Sequence, residues 1–279
     1  MSPAPPPPVF LVGCHRSGTT LLRYLLDTHS QFACPPESKF IGGLKSFYEY
    51  PQALRALESM EISRDAVLSE IRSAVEQVFQ RYADKKKKRR WIDKTPNYYM
   101  CLAFIDLLFR SNVRYIFLVR HPMDCIHSLE AYFINPTPEH EDPEIARQVR
   151  DHGNGRPAWA HYWVEANQRI IEFQRDRTAR SLLLRYEDLT TEPEAVLRNI
   201  CEFLNEAYEA QMLTDAFRVP HDGGYADDKI LETNRVCQDR RAAWKAWAPE
   251  EIGRVWEIVE PLASRLEYGL GSLDRNGGR

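Results

Sequence analysis

The run His15-Arg16-Ser17-Gly18-Thr19-Thr20 concentrates hydrogen-bond donors at one point of the chain. Gly13 opens the turn and Gly18 sits inside it, so the backbone can curl until its N–H groups point inward. Ser17, Thr19 and Thr20 add hydroxyls, and Arg16 adds a permanent charge on a planar fork that meets two anion oxygens at once. A helix starting at Thr19 contributes the partial positive charge of its N-terminus. Such a turn binds anions, phosphate above all; the alternative is a strand-to-helix turn with a structural role only.

The spacing matches G-x-x-x-x-G-K-[ST] except that Thr19 stands where the lysine belongs. That lysine bridges the β- and γ-phosphates of a triphosphate, so its replacement argues against ATP or GTP hydrolysis. A second anion grip is offered by Arg120, at the end of an apolar run, and Ser128, about two turns into the helix that Pro122 starts. Two further segments carry ionisable groups. In Cys34-Pro35-Pro36-Glu37-Ser38-Lys39 the prolines stiffen the approach to Glu37, either a held reactive carboxylate or a surface group or helix cap. In Trp91-Ile92-Asp93-Lys94-Thr95-Pro96, Asp93 and Lys94 are either site residues or an exposed ion pair.

The elements that must position these groups alternate strand and helix. Val9–Gly13, Arg114–Arg120 and Ser181–Arg185 are short continuous apolar runs, expected as buried parallel strands. Helices are expected over Thr19–Thr28, Ser63–Tyr82, Asn97–Arg110, Pro122–Phe133, Ala158–Arg177, Glu192–Asn205 and Pro249–Leu266. Residues 135–157, rich in Pro, Asp, Glu, Gly and His, read as a mobile surface loop. The fold class is α/β, a central parallel sheet flanked by helices on both faces. One domain over 9–270 is expected, between a flexible Pro-rich 1–8 and a flexible 271–279.

His15-Arg-Ser-Gly-Thr-Thr20 resembles the 5′-phosphosulfate loop of sulfotransferases, with His15 where proline is usual. Arg120 through Ser128 resembles the 3′-phosphate motif of the same family. The resemblance implies a P-loop-type fold, 3′-phosphoadenosine-5′-phosphosulfate (PAPS) as co-substrate and adenosine 3′,5′-bisphosphate (PAP) as product, with no metal required. It implies donor contacts from Arg16, Ser17, Gly18, Thr19, Thr20, Arg120 and Ser128. Glu37 and the Lys94-Thr95-Pro96 segment resemble the base and lysine positions of tyrosylprotein sulfotransferases and related bacterial enzymes. Glu37 would then deprotonate the acceptor, while Lys94 and Arg16 neutralise charge on the leaving oxygen; His121 and His127 are rival bases. Arg185-Tyr186-Glu187-Asp188-Leu189 resembles a stretch common in the family, which implies an adenosine contact for Tyr186 and a helix-capping role for Glu187 and Asp188. Asn234 and Arg235 fall where the family folds a loop over the nucleotide, as 3′-phosphate or adenine contacts. Tyrosylprotein sulfotransferases are membrane-anchored and carry a cysteine just before the lysine segment, where this chain has Trp91 and Ile92.

Composition bounds the alternatives. A net charge of −3 with 28% charged residues excludes binding to nucleic acid through bulk positive charge. The six cysteines show no metal-ligand spacing and are expected reduced and mostly buried. No signal peptide and no membrane span are expected, and the location expected is the cytoplasm. Lys85–Arg90 reads as a solvated loop first and a patch for an acidic acceptor second, with a nuclear signal as a further alternative. Phe47–Tyr50, Tyr98–Tyr99 and Trp159–Trp163 read as core, or else as the lining of an apolar acceptor pocket. The partner expected is a hydroxyl-bearing small molecule or peptide: a metabolite, natural product, lipid, sugar or tyrosyl group. Competing functions are a P-loop small-molecule kinase, which needs Mg²⁺ and ATP, and a non-catalytic nucleotide-binding scaffold.

Overall fold

A computed structural model describes residues 6–132, 143–223, 235–236 and 242–271. Its centre is a sheet in which every pairing is parallel. The strands are β1 (Val9–Gly13), β2 (Phe32–Ala33), β3 (Arg90–Lys94), β4 (Arg114–Val119) and β5 (Ser181–Arg185), in the spatial order β2-β3-β1-β4-β5. Successive side chains of β1 point to opposite faces. Phe10 and Val12 join a core with Trp91, Trp159 and Trp163, whereas Val9 and Leu11 join one with Leu22, Leu25 and Ile200. Both faces are therefore covered, and the apolar runs that signalled the strands are explained by two-sided burial.

The helices follow in chain order: α1 (Thr19–Asp27), α2 (Phe40–Tyr48), α3 (Pro51–Ser59), α4 (Arg64–Lys85) and α5 (Leu102–Leu108). Next come α6 (Pro122–Tyr132), α7 (Pro143–His152), α8 (Arg156–Arg175), α9 (Tyr186–Thr191), α10 (Pro193–Leu204), α11 (Gln211–Thr214) and α12 (Pro249–Arg265). Ser63 caps α4 by accepting a hydrogen bond from the Ala66 N–H at 3.2 Å. No helix among the described residues is long and apolar enough to cross a membrane.

Several expectations are corrected. The single helix expected over Asn97–Arg110 is a 3-10 segment, Pro96–Met100, followed by α5. The break falls at Cys101 (φ −114°, ψ 0°), because the two pieces serve different partners. Tyr98 is tied by its hydroxyl to Ser38, while α5 buries Leu102, Ile105 and Leu108 in the core. Within the expected loop 135–157, residues Pro143–His152 form a helix; residues 133–142 lie outside the described ones. Glu144, Ile145 and Gln148 share its buried face, and the carboxylate tolerates burial because Arg147 pairs with it at 2.5 Å and Gln148 donates to it at 2.7 Å.

The basic run is not a solvated loop throughout. Lys86 pairs with Asp222 at 3.0 Å, Lys88 with Asp27 at 3.6 Å, and the buried Arg90 donates to the Leu204 carbonyl at 2.9 Å. Only Lys85, Lys87 and Arg89 of the run stay exposed, and Arg89 is paired with Glu206. Tyr98, Tyr99, Trp159 and Trp163 are core, whereas Phe47 and Tyr50 are half exposed. Five cysteines are free and buried; Cys237 lies outside the described residues.

Candidate active site

Parallel pairing brings the carboxyl ends of the strands to one edge. Leu11 pairs with Lys94, Gly13 with Leu118, and Val119 with Arg185. The segments that follow each strand thus emerge side by side, and open α/β sheets bind ligands at this edge.

Between β1 and α1 the chain makes a tight loop, closed by the Ser17 N–H donating to the Cys14 carbonyl at 3.1 Å. Arg16 (φ 70°) and Gly18 (φ 98°) both take left-handed backbone, which aims consecutive N–H groups inward. A Cβ at Gly13 would stand 2.6 Å from the Leu118 carbonyl oxygen, and one at Gly18 would stand 2.3 Å from the Tyr186 ring. Only glycine fits either place. No side chain caps α1, so its first N–H groups are open to a ligand. Ser17 Oγ is fully buried and makes no hydrogen bond. A buried hydroxyl without a partner costs on the order of 1–3 kcal/mol, so its place in a ring of donors fits an anion.

The two anion motifs meet. Arg16 Nε donates to Ser128 Oγ at 2.9 Å, and Arg120 Nη1 donates to the Arg16 carbonyl at 3.0 Å. Arg120 also lies over the Tyr186 ring, 4.3 Å from its centroid, and that ring in turn covers Gly18. Arg16, Gly18, Arg120, Ser128 and Tyr186 thus form one contiguous group, with Thr19 and Thr20 buried at the base of α1.

Alongside stands an ion pair. Lys94 Nζ donates to Glu37 Oε1 at 2.6 Å; the lysine side chain is fully buried and the glutamate is 11% exposed. The exposed-pair alternative for Asp93 and Lys94 is therefore excluded. Burial pushes the Lys94 ammonium below its ordinary range, opposed by Glu37. Asp93, next in the strand, accepts from Ser38 Oγ at 2.7 Å, and burial raises its carboxyl to about 7. Glu37-Ser38 and Asp93-Lys94 therefore clasp at two adjacent points. An ammonium has three N–H donors, so Lys94 can hold Glu37 and still face a developing negative charge.

Other expected residues lie differently. The N-cap positions of α9 and α10 are Arg185 and Glu192 rather than Glu187 or Asp188, which lie in the first turn of α9. The Glu187 carboxylate accepts from the His121 N–H at 2.9 Å and from the Tyr268 hydroxyl at 2.8 Å. His121 is buried, with Nε2 3.1 Å from the Gly269 carbonyl and its ring stacked 5.7 Å from Trp244. Burial lowers its pKa, and its Nδ1 is buried without a hydrogen-bond partner. The His127 ring lies 5.9 Å from Trp247. Arg235 is exposed, and Asn234 lies outside the described residues. Among the described residues no group of three or more His, Cys, Asp or Glu could hold a metal ion.

Ser38, Tyr98, Arg23 and Asp27 also shape the site and carry little signal in the sequence. The one mark was a charged pair, Arg23 and Asp27, interrupting the apolar positions of α1.

Comparison with known proteins points the same way. The profile of the Sulfotransferase family matches residues 7–210. The chain is similar to Protein-tyrosine sulfotransferase 1 of Danio rerio, 22% identical over 284 residues, spanning 98% of this chain and 75% of that protein. It is also similar to nodulation protein NoeE of Sinorhizobium fredii, 27% identical over 268 residues, spanning 90% of this chain and 63% of that protein. Among solved structures, the sulfotransferase domain from the curacin biosynthetic pathway is 26% identical with a TM-score of 0.66, covering 96% of this chain and all of that one. Mouse sulfotransferase SULT7A1 complexed with PAP shares the fold, at 15% identity and a TM-score of 0.54, covering 91% of this chain and 84% of that one.

Proposed function

Because the chain belongs to the sulfotransferase family, we propose that it moves a sulfuryl group from PAPS to a hydroxyl, with Glu37 as general base. The observation that carries this reading is the buried Lys94–Glu37 pair at the sheet edge where the anion loop opens. The loop from Arg16 to Thr20 takes the 5′-phosphosulfate, and the unpartnered Ser17 hydroxyl finds its acceptor there. Arg120 and Ser128 take the 3′-phosphate, and Tyr186, packed over Gly18, offers a face to the adenosine. Asn234 and Arg235 are assigned to the same nucleotide.

In the reaction the acceptor oxygen forms a bond to sulfur as the bond from sulfur to the bridging phosphate oxygen breaks. Glu37 receives the acceptor proton, PAP leaves, and Lys94 and Arg16 stabilise the charge that grows on the bridging oxygen. These cations supply the charge, so the proposed step uses no metal. Positioning and electrostatics dominate, as in phosphoryl transfer. The acceptor class is a hydroxyl on a small metabolite, natural product, lipid, sugar or tyrosyl group.

The test is transfer from ³⁵S-labelled PAPS to a panel holding one compound of each class, with the parent chain and Glu37→Gln. Label on at least one acceptor, reduced about 100-fold or more in Glu37→Gln with PAP affinity kept, is expected. Equal transfer by the variant would remove Glu37 from the mechanism.

A further inference from the structure

Arg23 and Asp27 lie one turn apart on α1 and are buried to 0% and 6% exposure. Together they hold both main-chain groups of a single residue. Arg23 Nε donates to the Cys34 carbonyl at 3.0 Å, and the Cys34 N–H donates to Asp27 Oδ1 at 2.9 Å. Pro35 and Pro36 follow, each with φ fixed by its ring, so few soft dihedrals separate this anchor from Glu37.

Arg23 Nη2 and Asp27 Oδ2 hold a second, distant segment, while Arg23 Nη1 is buried without a hydrogen-bond partner. Arg23 Nη2 donates to the Asp222 carbonyl at 2.9 Å, and His221 Nδ1 lies 2.8 Å from Asp27 Oδ2. His221 is fixed in turn, with Nε2 2.8 Å from the Ala216 carbonyl and its ring stacked 4.0 Å from Tyr24. Burial alone would raise the Asp27 carboxyl, yet His221, Lys88 and the Cys34 amide hold it below the ordinary range. Stability alone does not call for such groups: buried ion networks are often replaced by apolar side chains without loss. What an apolar residue cannot do is fix the direction of two backbones at once.

We infer that Arg23 and Asp27 are positioning residues that set Glu37 against Lys94 and couple that setting to the segment 216–223. This rests on the reading of Glu37 as the base. Neither residue touches the anion loop contacts made by Arg16, Arg120 and Ser128, so donor affinity and turnover separate.

The test uses the full chain with Asp27→Asn, Arg23→Gln, Arg23→Lys and His221→Gln, measured three ways. By calorimetry, PAP affinity stays within about threefold of the parent, because displacement of a base leaves a remote binding group in place. Turnover of PAPS, with the best panel acceptor or with water, falls about 10- to 100-fold in Asp27→Asn and Arg23→Gln, the scale expected of a misplaced reacting group. Arg23→Lys recovers part of it, since one ammonium cannot span both carbonyls. Hydrogen exchange needs no turnover: His221→Gln, which touches neither Cys34 nor Glu37, should speed exchange of peptide 34–39 about fivefold or more and leave β1 and β4 unchanged.

Unchanged exchange at 34–39 in His221→Gln and Asp27→Asn would overturn the coupling, and PAP affinity falling in step with turnover would overturn the positioning role. Failure of the parent chain to bind PAP would instead overturn the donor reading beneath it. Should Arg23→Gln not fold, the near-isosteric Asp27→Asn and the more peripheral His221→Gln still decide.

Discussion

Lys94 keeps its ammonium in a place with no exposed surface because Glu37 stands 2.6 Å away. Desolvation offsets much of the attraction in a buried pair, so folding alone gains little from it, and the role proposed for the pair's ammonium is charge stabilisation. Lys94→Met keeps an unbranched side chain of similar bulk and removes the ammonium, and with it both the charge and the hydrogen bond to Glu37. It should lower kcat about 10²- to 10³-fold, the scale of losing one donor to a developing anion, with PAP affinity kept. Steady-state kinetics beside calorimetry checks this, and a kcat within about threefold of the parent would speak against Lys94. Asp93 makes a separate prediction. Its carboxyl is raised from 3.8 to about 7 by burial, so in that interval the folded chain holds a proton that the unfolded chain has released. The stability it contributes is complete below the lower value and lost as pH rises through the higher one. Asp93→Asn should remove this loss, gaining on the order of 2–4 kcal/mol relative to the parent between pH 5 and 8. Urea denaturation at both pH values would show it, and parallel changes in the two proteins would contradict it.

At the scale of elements, the strand–loop–helix over 9–27 was legible because its signals are local: an apolar run, two glycines and a leucine periodicity. Gly18 is the position with least freedom. Gly18→Ala meets a left-handed backbone and the Tyr186 ring together, so it should destabilise the chain by about 2 kcal/mol or more and weaken PAP at least about tenfold. Thermal unfolding and titration with PAP measure the two effects; a variant with parental stability would show that the loop does not need the conformation seen. The strand β3 was not legible. Arg90 falls in the basic run that reads as a solvated loop, and Asp93 and Lys94 read either as site residues or as an exposed ion pair. Their burial is made possible by Leu204, Ser38 and Glu37, partners that only the fold brings near. The same holds for α7, whose Glu144 looks like loop composition until Arg147 and Gln148 satisfy it one turn on. The contact between Arg16 and Ser128 could not be read either, since spacing says that two motifs exist and not that they touch.

Over the whole molecule, the strand order explains where the site must be. The chain fills one side of β1 with β3 and β2, then crosses to place β4 and β5 on the other. The switch falls at the carboxyl end of β1, where the segments after the strands part and leave a crevice. The anion loop occupies that end, flanked by Lys94 at the end of β3 and Arg120 after β4. A molecule of net charge −3 thus gathers Arg16, Lys94 and Arg120 at one edge. On the reading proposed above, this edge binds a donor carrying both a 5′- and a 3′-phosphate without help from a metal. Calorimetry of the full chain with PAP in EDTA, beside ADP and the Arg120→Ala variant, tests it directly. Saturable metal-free binding of PAP is expected, at least about 100-fold weaker for ADP and in the variant, as when a buried charge-assisted contact is lost. Binding of ADP equal to that of PAP and dependent on Mg²⁺, or no binding of PAP, would contradict it.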